Sequence, residues 1–286
     1  MTQARCPLCG GTCRRDVVDS GDWCLVRCLH CGLYYRHPLP AEKVRHHYDW
    51  VYENDFTSDH IDDRRRSVFT GFLADFPPRG EARLLDIGCG TGEFLARARE
   101  RGWSVSGVEI SPHGAALARR RGLTVHGAVD DLEDGAYDIV TLWNVIDFFA
   151  HPLEEMCQIR RVLAPGGVAL IRTPNAVFQL AAWRLSQLVV WPAPLARLVR
   201  QAYFFQPLVW SPRTLRRLLD DAGFTRVQLW NSEVSWGDPY HSGSPGRERM
   251  VSAVKHGLRS LAQLVAVASS RRLLIGSSIS ALAEKA

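Results

Sequence analysis

Residues 84–95 read LLDIGCGTGEFL. The apolar pair Leu84-Leu85 leads to a carboxylate, Asp86; Gly88, Gly90 and Gly92 then alternate with Cys89 and Thr91, and Glu93-Phe94-Leu95 opens a helical pattern. This order predicts a strand, a tight turn and a helix. Glycines at alternate positions remove side chains that would hold a ligand off the backbone, and a helix starting near Gly92 aims its free N–H groups into the same space. Residues 105–111, VSGVEIS, read as the next strand, ending in Glu109 and followed by Ile110. An acidic side chain there can accept both hydroxyl hydrogen bonds of a ribose, and bonds to a charged acceptor are the stronger kind.

Two cofactor classes use such a turn. The dinucleotide fingerprint is G-x-G-x-x-G, whereas here the spacing is G-x-G-x-G with Asp86 two residues before the first glycine. A carboxylate at the strand tip repels a pyrophosphate and suits a cationic ligand with an ammonium and a sulfonium. The residues D-I-G-C-G-T-G resemble motif I of the class I S-adenosylmethionine-dependent methyltransferases. The resemblance implies a doubly wound, mostly parallel, seven-stranded α/β sheet. It also implies a cofactor held by Asp86, Gly88, Cys89, Gly90, Gly92, Glu109 and Ile110, with Asp130 or Asp131 at the adenine edge. Trp143, at the tail of the strand YDIVTLW (137–143), is expected to line the cofactor at the carboxyl end of the sheet.

The remaining blocks agree in order. Ser111-Pro112 supplies the cap and first residue of a helix running to Arg121 before Gly122. Strands are expected at 123–129, 168–173, 224–233 and 277–284, the last lying antiparallel between strands five and six, as the resemblance implies. A helix is expected over 211–222. Residues 144–152, NVIDFFAHP, resemble a segment of the O-methyltransferases that make ubiquinone, where the pair E-H is associated with substrate or a divalent ion. Asp147 and Phe148 occupy those places here, so that ion site is not carried over. The catalytic candidates are Asp147 and His151, an imidazole able to act as a base near neutral pH; capping or surface exposure is the alternative for His151.

At the N-terminus, Cys6-Pro-Leu-Cys9-Gly10 and Cys28-Leu-His-Cys31-Gly32 form two C-x-x-C-G knuckles separated by 18 residues. Each turns tightly enough to aim two sulfurs at one ion, so Cys6, Cys9, Cys28 and Cys31 are expected to close a structural zinc site with no open position for catalysis. Residues 14–18 and 23–27 can pair as a hairpin between the knuckles. Cys13 and Cys24 are expected to be small buried residues on it, and His30 to be exposed. Joined to a following aromatic pair and P-x-P, this zinc ribbon resembles the N-terminal segment of bacterial methyltransferases that act on small molecules.

The division expected is a zinc ribbon at 1–37, a helical segment covering the cofactor at 38–83, and the methyltransferase domain at 84–286 with helical insertions near 176–205 and 236–274. In the covering segment, His46, His47, Tyr48, Trp50 and Tyr52 crowd together, and one of Arg64, Arg65 and Arg66 is expected to reach the cofactor's carboxylate.

The 286 residues, 46% apolar, support one full α/β core and a small accessory unit. No run approaches 18 uninterrupted apolar residues and MTQARC is not a secretory start, so a cytoplasmic protein is expected. Charge is uneven: residues 1–50 carry 7 basic and 5 acidic side chains, 51–175 carry 14 and 19, and 176–286 carry 14 and 6. An acidic cofactor half suits a sulfonium. A basic C-terminal third suits an anionic substrate, a phospholipid surface or RNA, or is simply solvated. The stripe Leu258, Leu261, Val265 and Ala268, with basic neighbours, fits peripheral membrane contact as well as packing on the sheet. The expected activity is methyl transfer to a small-molecule acceptor such as a sugar, polyketide or lipid-linked intermediate. Ribosomal RNA base methylation and a non-catalytic cofactor-binding scaffold are the alternatives.

Overall fold

The computed structural model describes residues 5–40, 58–188, 200, 202–234 and 245–286. The aromatic cluster at 46–52 and the loop residues 235–244 therefore lie outside the described residues, as do the side chains of Arg64 and Arg65.

A four-stranded antiparallel sheet comes first. It comprises β1 (Arg14–Asp19), β2 (Cys24–Cys28) and β3 (Tyr34–His37), completed by β9 (Leu208–Val209). The main sheet is built from β4 (Arg83–Ile87), β5 (Ser104–Val108), β6 (Thr124–His126), β7 (Tyr137–Trp143), β8 (Leu163–Pro174), β10 (Thr225–Asn231) and β11 (Ser278–Glu284). Its order is β10-β11-β8-β7-β4-β5-β6, with β11 antiparallel to both neighbours and the other pairs parallel. Seven helices are described: α1 (Ser58–Asp75), α2 (Glu93–Glu100), α3 (Pro112–Arg120), α4 (Pro152–Val162), α5 (Ala176–Leu188), α6 (Pro212–Asp221) and α7 (Pro245–Ala268).

Strands covered on both faces read as unbroken apolar runs, and β7 is buried at six of its seven positions. Alternation then sorts its side chains. Val140 and Leu142 join Leu85 and Ile87 in one cluster, while Ile139 and Trp143 join Leu84, Phe69, Phe72 and Phe94 in the other. The same alternation aligns polar groups, because Asp86 pairs in register with Thr141 on one side and Gly107 on the other.

The structure departs from the sequence reading at several points. The edge strand β6 spans three residues, not seven, and β8 begins at Leu163, which pairs with Tyr137 ahead of the turn. The two-residue β9 lies just beyond the expected insertion at 176–205, where no strand is expected, yet it pairs Val209 with Tyr34 and Leu208 with Tyr35, and Arg36 N–H donates to Pro207 O at 2.8 Å. The ribbon is thereby stitched to the main domain. Trp210 follows at once, fully buried, with its indole N–H donating to Ile146 O at 3.3 Å and its carbonyl accepting from Ala176 N–H at 2.8 Å. Truncating an aromatic of this kind costs on the order of 3–5 kcal/mol.

Cys13 is exposed and Cys24 half-buried, so neither is the buried filler expected. His30 is exposed, as expected. In α7 the expected stripe faces outward: Leu258, Leu261 and Ala268 are exposed, and the helix packs through Ser252, Ala262 and Ala266, small residues that allow close approach.

Candidate functional site

All three glycines of the turn after β4 have left-handed backbone, with φ of 69°, 55° and 80° at Gly88, Gly90 and Gly92. An L-residue would be strained at each. A Cβ on Gly88 would stand 2.5 Å from Val145 Cγ2, and one on Gly92 would collide with Leu123 Cδ1. At these two positions the missing side chains make room for the protein's own packing, a correction to the reading that they clear space for a ligand. Gly88 and Cys89 N–H both donate to Val108 O, at 2.7 and 3.1 Å, and Gly92 N–H to Cys89 O at 2.9 Å. The Cys89 side chain points down onto β5, where a Cβ on Gly107 would stand 2.5 Å from its sulfur. Burial, with the Asp86 and Glu109 carboxylates nearby, pushes this thiol up, so it stays protonated. Past the turn, α2 starts at Gly92 with no side chain capping it.

Two buried carboxylates flank the turn. Asp86 is 2% exposed and Glu109 6%. Thr141 Oγ1 donates to Asp86 Oδ1 at 2.6 Å. Burial pushes the Asp86 carboxyl up to about 8, against the pull of the Thr141 bond and with the help of Glu109. Among the described residues no basic side chain is paired with Asp86. Glu109 is held at both oxygens: Gly90 N–H donates to Oε2 and Ser111 N–H to Oε1, each at 2.8 Å. A carboxylate offers about four acceptor sites, the chemistry that ligand hydroxyls require. Ser111 also caps α3 by accepting from Gly114 N–H at 3.3 Å. Ile110, immediately after Glu109, is 50% exposed and offers an apolar face to a planar ring.

The other anticipated positions fall in contrasting settings. Asp130 and Asp131 are exposed in the loop after β6. The Trp143 ring is packed among Phe69, Phe72 and Phe94, with centroids 5.1–5.6 Å away, and its indole N–H is buried without a partner. Asp147 is 1% exposed; Thr173 Oγ1 donates to its Oδ1 at 2.5 Å, while Oδ2 is buried with no hydrogen bond. Burial pushes its carboxyl up to about 7, opposed by Thr173 and Arg172. His151 is exposed at the start of α4 and its side chain makes no capping bond, so the two catalytic candidates do not form a pair. Sequence reasoning passed over Thr141, Thr173 and Arg172, which donates to Asn144 Oδ1 at 2.8 Å and Ser232 Oγ at 3.0 Å. A threonine inside the otherwise apolar end of YDIVTLW is the signal that could have found the first.

The knuckle cysteines converge as expected. The sulfurs of Cys6, Cys9, Cys28 and Cys31 all lie within 4.8 Å of one another, with Cys6 and Cys31 at 3.5 Å and Cys9 and Cys28 at 3.6 Å. Four thiolates about 2.3 Å from one tetrahedral ion stand about 3.8 Å apart, so the set fits zinc. Gly10 and Gly32, with φ of 67° and 85°, close the two knuckles by donating to Cys6 O at 2.9 Å and Cys28 O at 3.0 Å.

The chain as a whole is similar to known proteins. A sequence-family profile described as a methyltransferase domain covers residues 61–229, more than half of the chain. The chain belongs to the methyltransferase-domain family. Among curated relatives, a malonyl-[acyl-carrier protein] O-methyltransferase of Serratia marcescens is 35% identical over 32% of this chain and 38% of its own length. A ubiquinone biosynthesis O-methyltransferase of Cereibacter sphaeroides is 31% identical over 41% of this chain and 51% of its own. The chain thus spans about half, or less, of the length of these relatives. Among solved structures, an S-adenosylmethionine-dependent methyltransferase of Thermotoga maritima superposes with a TM-score of 0.53 at 18% identity, covering 85% of this chain and 99% of that one. The [4+2]-cyclase SpnF does so with a TM-score of 0.52 at 20% identity, covering 85% and 95%. At such identities the likeness shows the fold alone, and the cyclase shows that one fold carries different chemistries.

S-adenosylmethionine is the cofactor this family implies. The residues fit it: Asp86, buried with no basic side chain paired to it among the described residues, suits a cation, and the Glu109 carboxylate, oriented by Gly90 and Ser111, supplies acceptor capacity of the kind vicinal hydroxyls bond. Glu109→Gln halves that acceptor capacity and removes the charge. It is expected to weaken S-adenosylhomocysteine binding about 10- to 100-fold, from the loss of one or two charge-assisted bonds. Calorimetry on variant and parent protein of equal thermal stability checks this, and an unchanged Kd refutes the role.

For the metal centre, purified protein should carry one zinc per chain by elemental analysis. Cys28→Ser should lose the metal and lower the melting temperature, since structural zinc contributes on the order of 10 kcal/mol in small modules. Metal-free protein with unchanged stability would rule the zinc out.

Proposed function

We propose that the protein transfers the methyl group of S-adenosylmethionine to a small-molecule acceptor such as a sugar, polyketide or lipid-linked intermediate. The observation that carries this reading is the doubly held Glu109 beside the glycine turn and Asp86, at the carboxyl end of the strands where open α/β sheets bind ligands. Relatives named for a carrier-bound acid and for ubiquinone biosynthesis support the acceptor class.

In this assignment the backbone of Gly88, Cys89, Gly90 and Gly92 shapes the cofactor pocket, Glu109 binds the ribose, Ile110 covers the adenine and Asp130 meets its edge. Asp86 balances the positive charge, and Trp143 braces the pocket wall from the aromatic cluster. The sulfonium methyl is already activated, so aligning it with the acceptor and excluding water supply most of the acceleration. Asp147, with a carboxyl near neutrality and one unpaired oxygen, is assigned to the acceptor side. His151, on the surface, is a base only if the acceptor reaches α4. The four-cysteine cluster takes zinc in a structural role.

Incubating the protein with methyl-labelled S-adenosylmethionine and fractionated cell extract should place label in the small-molecule fraction. Label in RNA alone overturns the acceptor class. Cofactor binding with no transfer into any fraction overturns the enzyme reading in favour of a scaffold.

We also assign a cytoplasmic location with peripheral contact to anionic membrane through α7. No helix among the described residues is long and apolar enough to cross a membrane. Yet α7 exposes Leu258, Leu261 and Leu264, spaced three residues apart, with Leu264 at 69%, while Arg271 and Arg272 are exposed just beyond its end. Apolar side chains flanked by cations are the interfacial pattern. Vesicles containing phosphatidylglycerol should sediment the protein, and phosphatidylcholine vesicles should not; Leu264→Asp should abolish the effect. Equal sedimentation of parent and variant refutes the contact.

A further inference from the structure

The seam between the ribbon and the main domain holds a cavity of about 240 Å³. Arg27 and Tyr34 line it from the ribbon, Arg184 from α5, and Ser211, Arg213 and Thr214 from the start of α6. Three arginines from three separate elements line one space, and none of the described residues of that lining carries a carboxylate.

Their surroundings leave this charge uncompensated. Among the described residues, none of the three arginines has an ion pair, and the Nε of Arg27 is buried without a hydrogen bond. The Arg27 guanidinium carbon lies 5.8 Å from the Tyr34 ring centroid. A Cβ placed on Gly32 would stand 3.8 Å from Arg27 Nη2 and 3.9 Å from Thr214 Cγ2, which puts that guanidinium at the first turn of α6. A helix N-terminus is positive, so a cation there is repelled rather than stabilised. Leaving a buried donor without an acceptor is unfavourable. One anionic group entering the cavity would answer the helix end, the orphan Nε and the mutual repulsion together.

The position gives such a group a purpose. Ala176 and Val177, which form part of the cavity wall, directly follow β8, whose end carries the Thr173 that holds Asp147. The cavity wall is thus joined to the end of the sheet that carries the glycine turn of β4, with β8 and β4 two strand spacings, roughly 10 Å, apart. At roughly 30 Å³ per water, its volume accommodates a phosphoryl or diphosphoryl group.

We propose that this cavity is an oxyanion site that docks the phosphate or diphosphate end of the methyl acceptor, with Arg27, Arg184 and Arg213 as its ligands and the positive end of α6 behind them. The proposal rests on the methyltransferase reading for the acceptor's role, while the binding itself can be measured without it. Planar guanidinium forks match phosphate oxygens in pairs. The ribbon then has a task beyond stabilising itself, since one of its strands presents Arg27 to the acceptor.

The test is calorimetric titration of the zinc-loaded full chain, at fixed ionic strength, with inorganic pyrophosphate, inorganic phosphate, a nucleoside diphosphate and a short-chain lipid diphosphate. S-adenosylhomocysteine is titrated separately. Pyrophosphate is expected to bind, and Arg27→Gln and Arg213→Gln each to weaken it at least tenfold, with S-adenosylhomocysteine affinity and zinc content unchanged. Arg27→Lys guards against a folding artefact: it keeps the charge, and should bind pyrophosphate more weakly than the parent and more tightly than Arg27→Gln. Stronger binding of the nucleoside or the lipid diphosphate than of pyrophosphate identifies the source of the phosphate.

No pyrophosphate binding by the parent protein, or equal binding by Arg27→Gln, overturns the site even if S-adenosylhomocysteine binds. Arginine-dependent pyrophosphate binding with no S-adenosylhomocysteine uptake keeps the site and removes the methyltransferase reading instead.

Discussion

Glu109 is where three parts of the fold are tied together. Its two oxygens accept from Gly90 in the turn after β4 and from Ser111 at the head of α3, while its own backbone N–H donates to His126 O in β6. Burying a carboxylate costs several kcal/mol, and two bonds to a charged acceptor return about 1.5–3 kcal/mol each, so the arrangement is close to break-even by itself. What it secures is geometry. The turn cannot shift along β5, and α3 cannot rotate at its cap, without breaking one of these bonds. A ligand hydroxyl adds to a carboxylate that is already oriented.

The second organising contact is the seam through β9 and Trp210. A ribbon of some three dozen residues buries too little apolar surface to stand alone, and four cysteine sulfurs converge at its base. Leu33 and Tyr35 are nevertheless fully buried in the same cluster as Leu85, Val140 and Trp210. The ribbon therefore takes part in the main core. Its position is set by main-chain bonds to β9 and by the indole of Trp210 on Ile146, one residue from Asp147.

Legibility followed the range of the interactions. The stretch from Leu84 to Thr173 could be read because its signals are local: glycine punctuation, a Ser-Pro helix start and unbroken apolar strands each report their own position. YDIVTLW matches β7 residue for residue, and the four knuckle cysteines meet as their spacing requires. What escaped was set by contacts distant in sequence. Nothing in Leu208-Val209 announces that it pairs with residues 34 and 35. The reason for Gly92 lies in Leu123, and that for Gly107 in Cys89. In α7 the apolar stripe was legible but its direction was not. Periodicity tells which residues share a face, whereas the side that packs was decided by Ala262 and Ala266 fitting close to the sheet, with Asn231 Nδ2 donating to Ala262 O at 2.9 Å.

Three buried acids stand near the carboxyl ends of the strands, in unequal settings. Glu109 is fixed by two backbone donors, whereas burial pushes Asp86 up to about 8 and Asp147 up to about 7. An acid whose folded pKa exceeds its unfolded value contributes stability at low pH and loses it as pH rises through the folded value. Asp86 should therefore cost the empty protein stability between about pH 4 and about pH 8, the window between its ordinary and its raised value. A bound cation reverses the sign, because it favours the ionised form and draws the carboxyl back down. The pocket is thus least comfortable when empty at neutral or higher pH. A ligand carrying positive charge relieves that condition, and a neutral nucleoside of the same shape does not. Discrimination between a sulfonium and its demethylated thioether product would then come from the ionisation of one buried side chain, with Thr141 holding it in place.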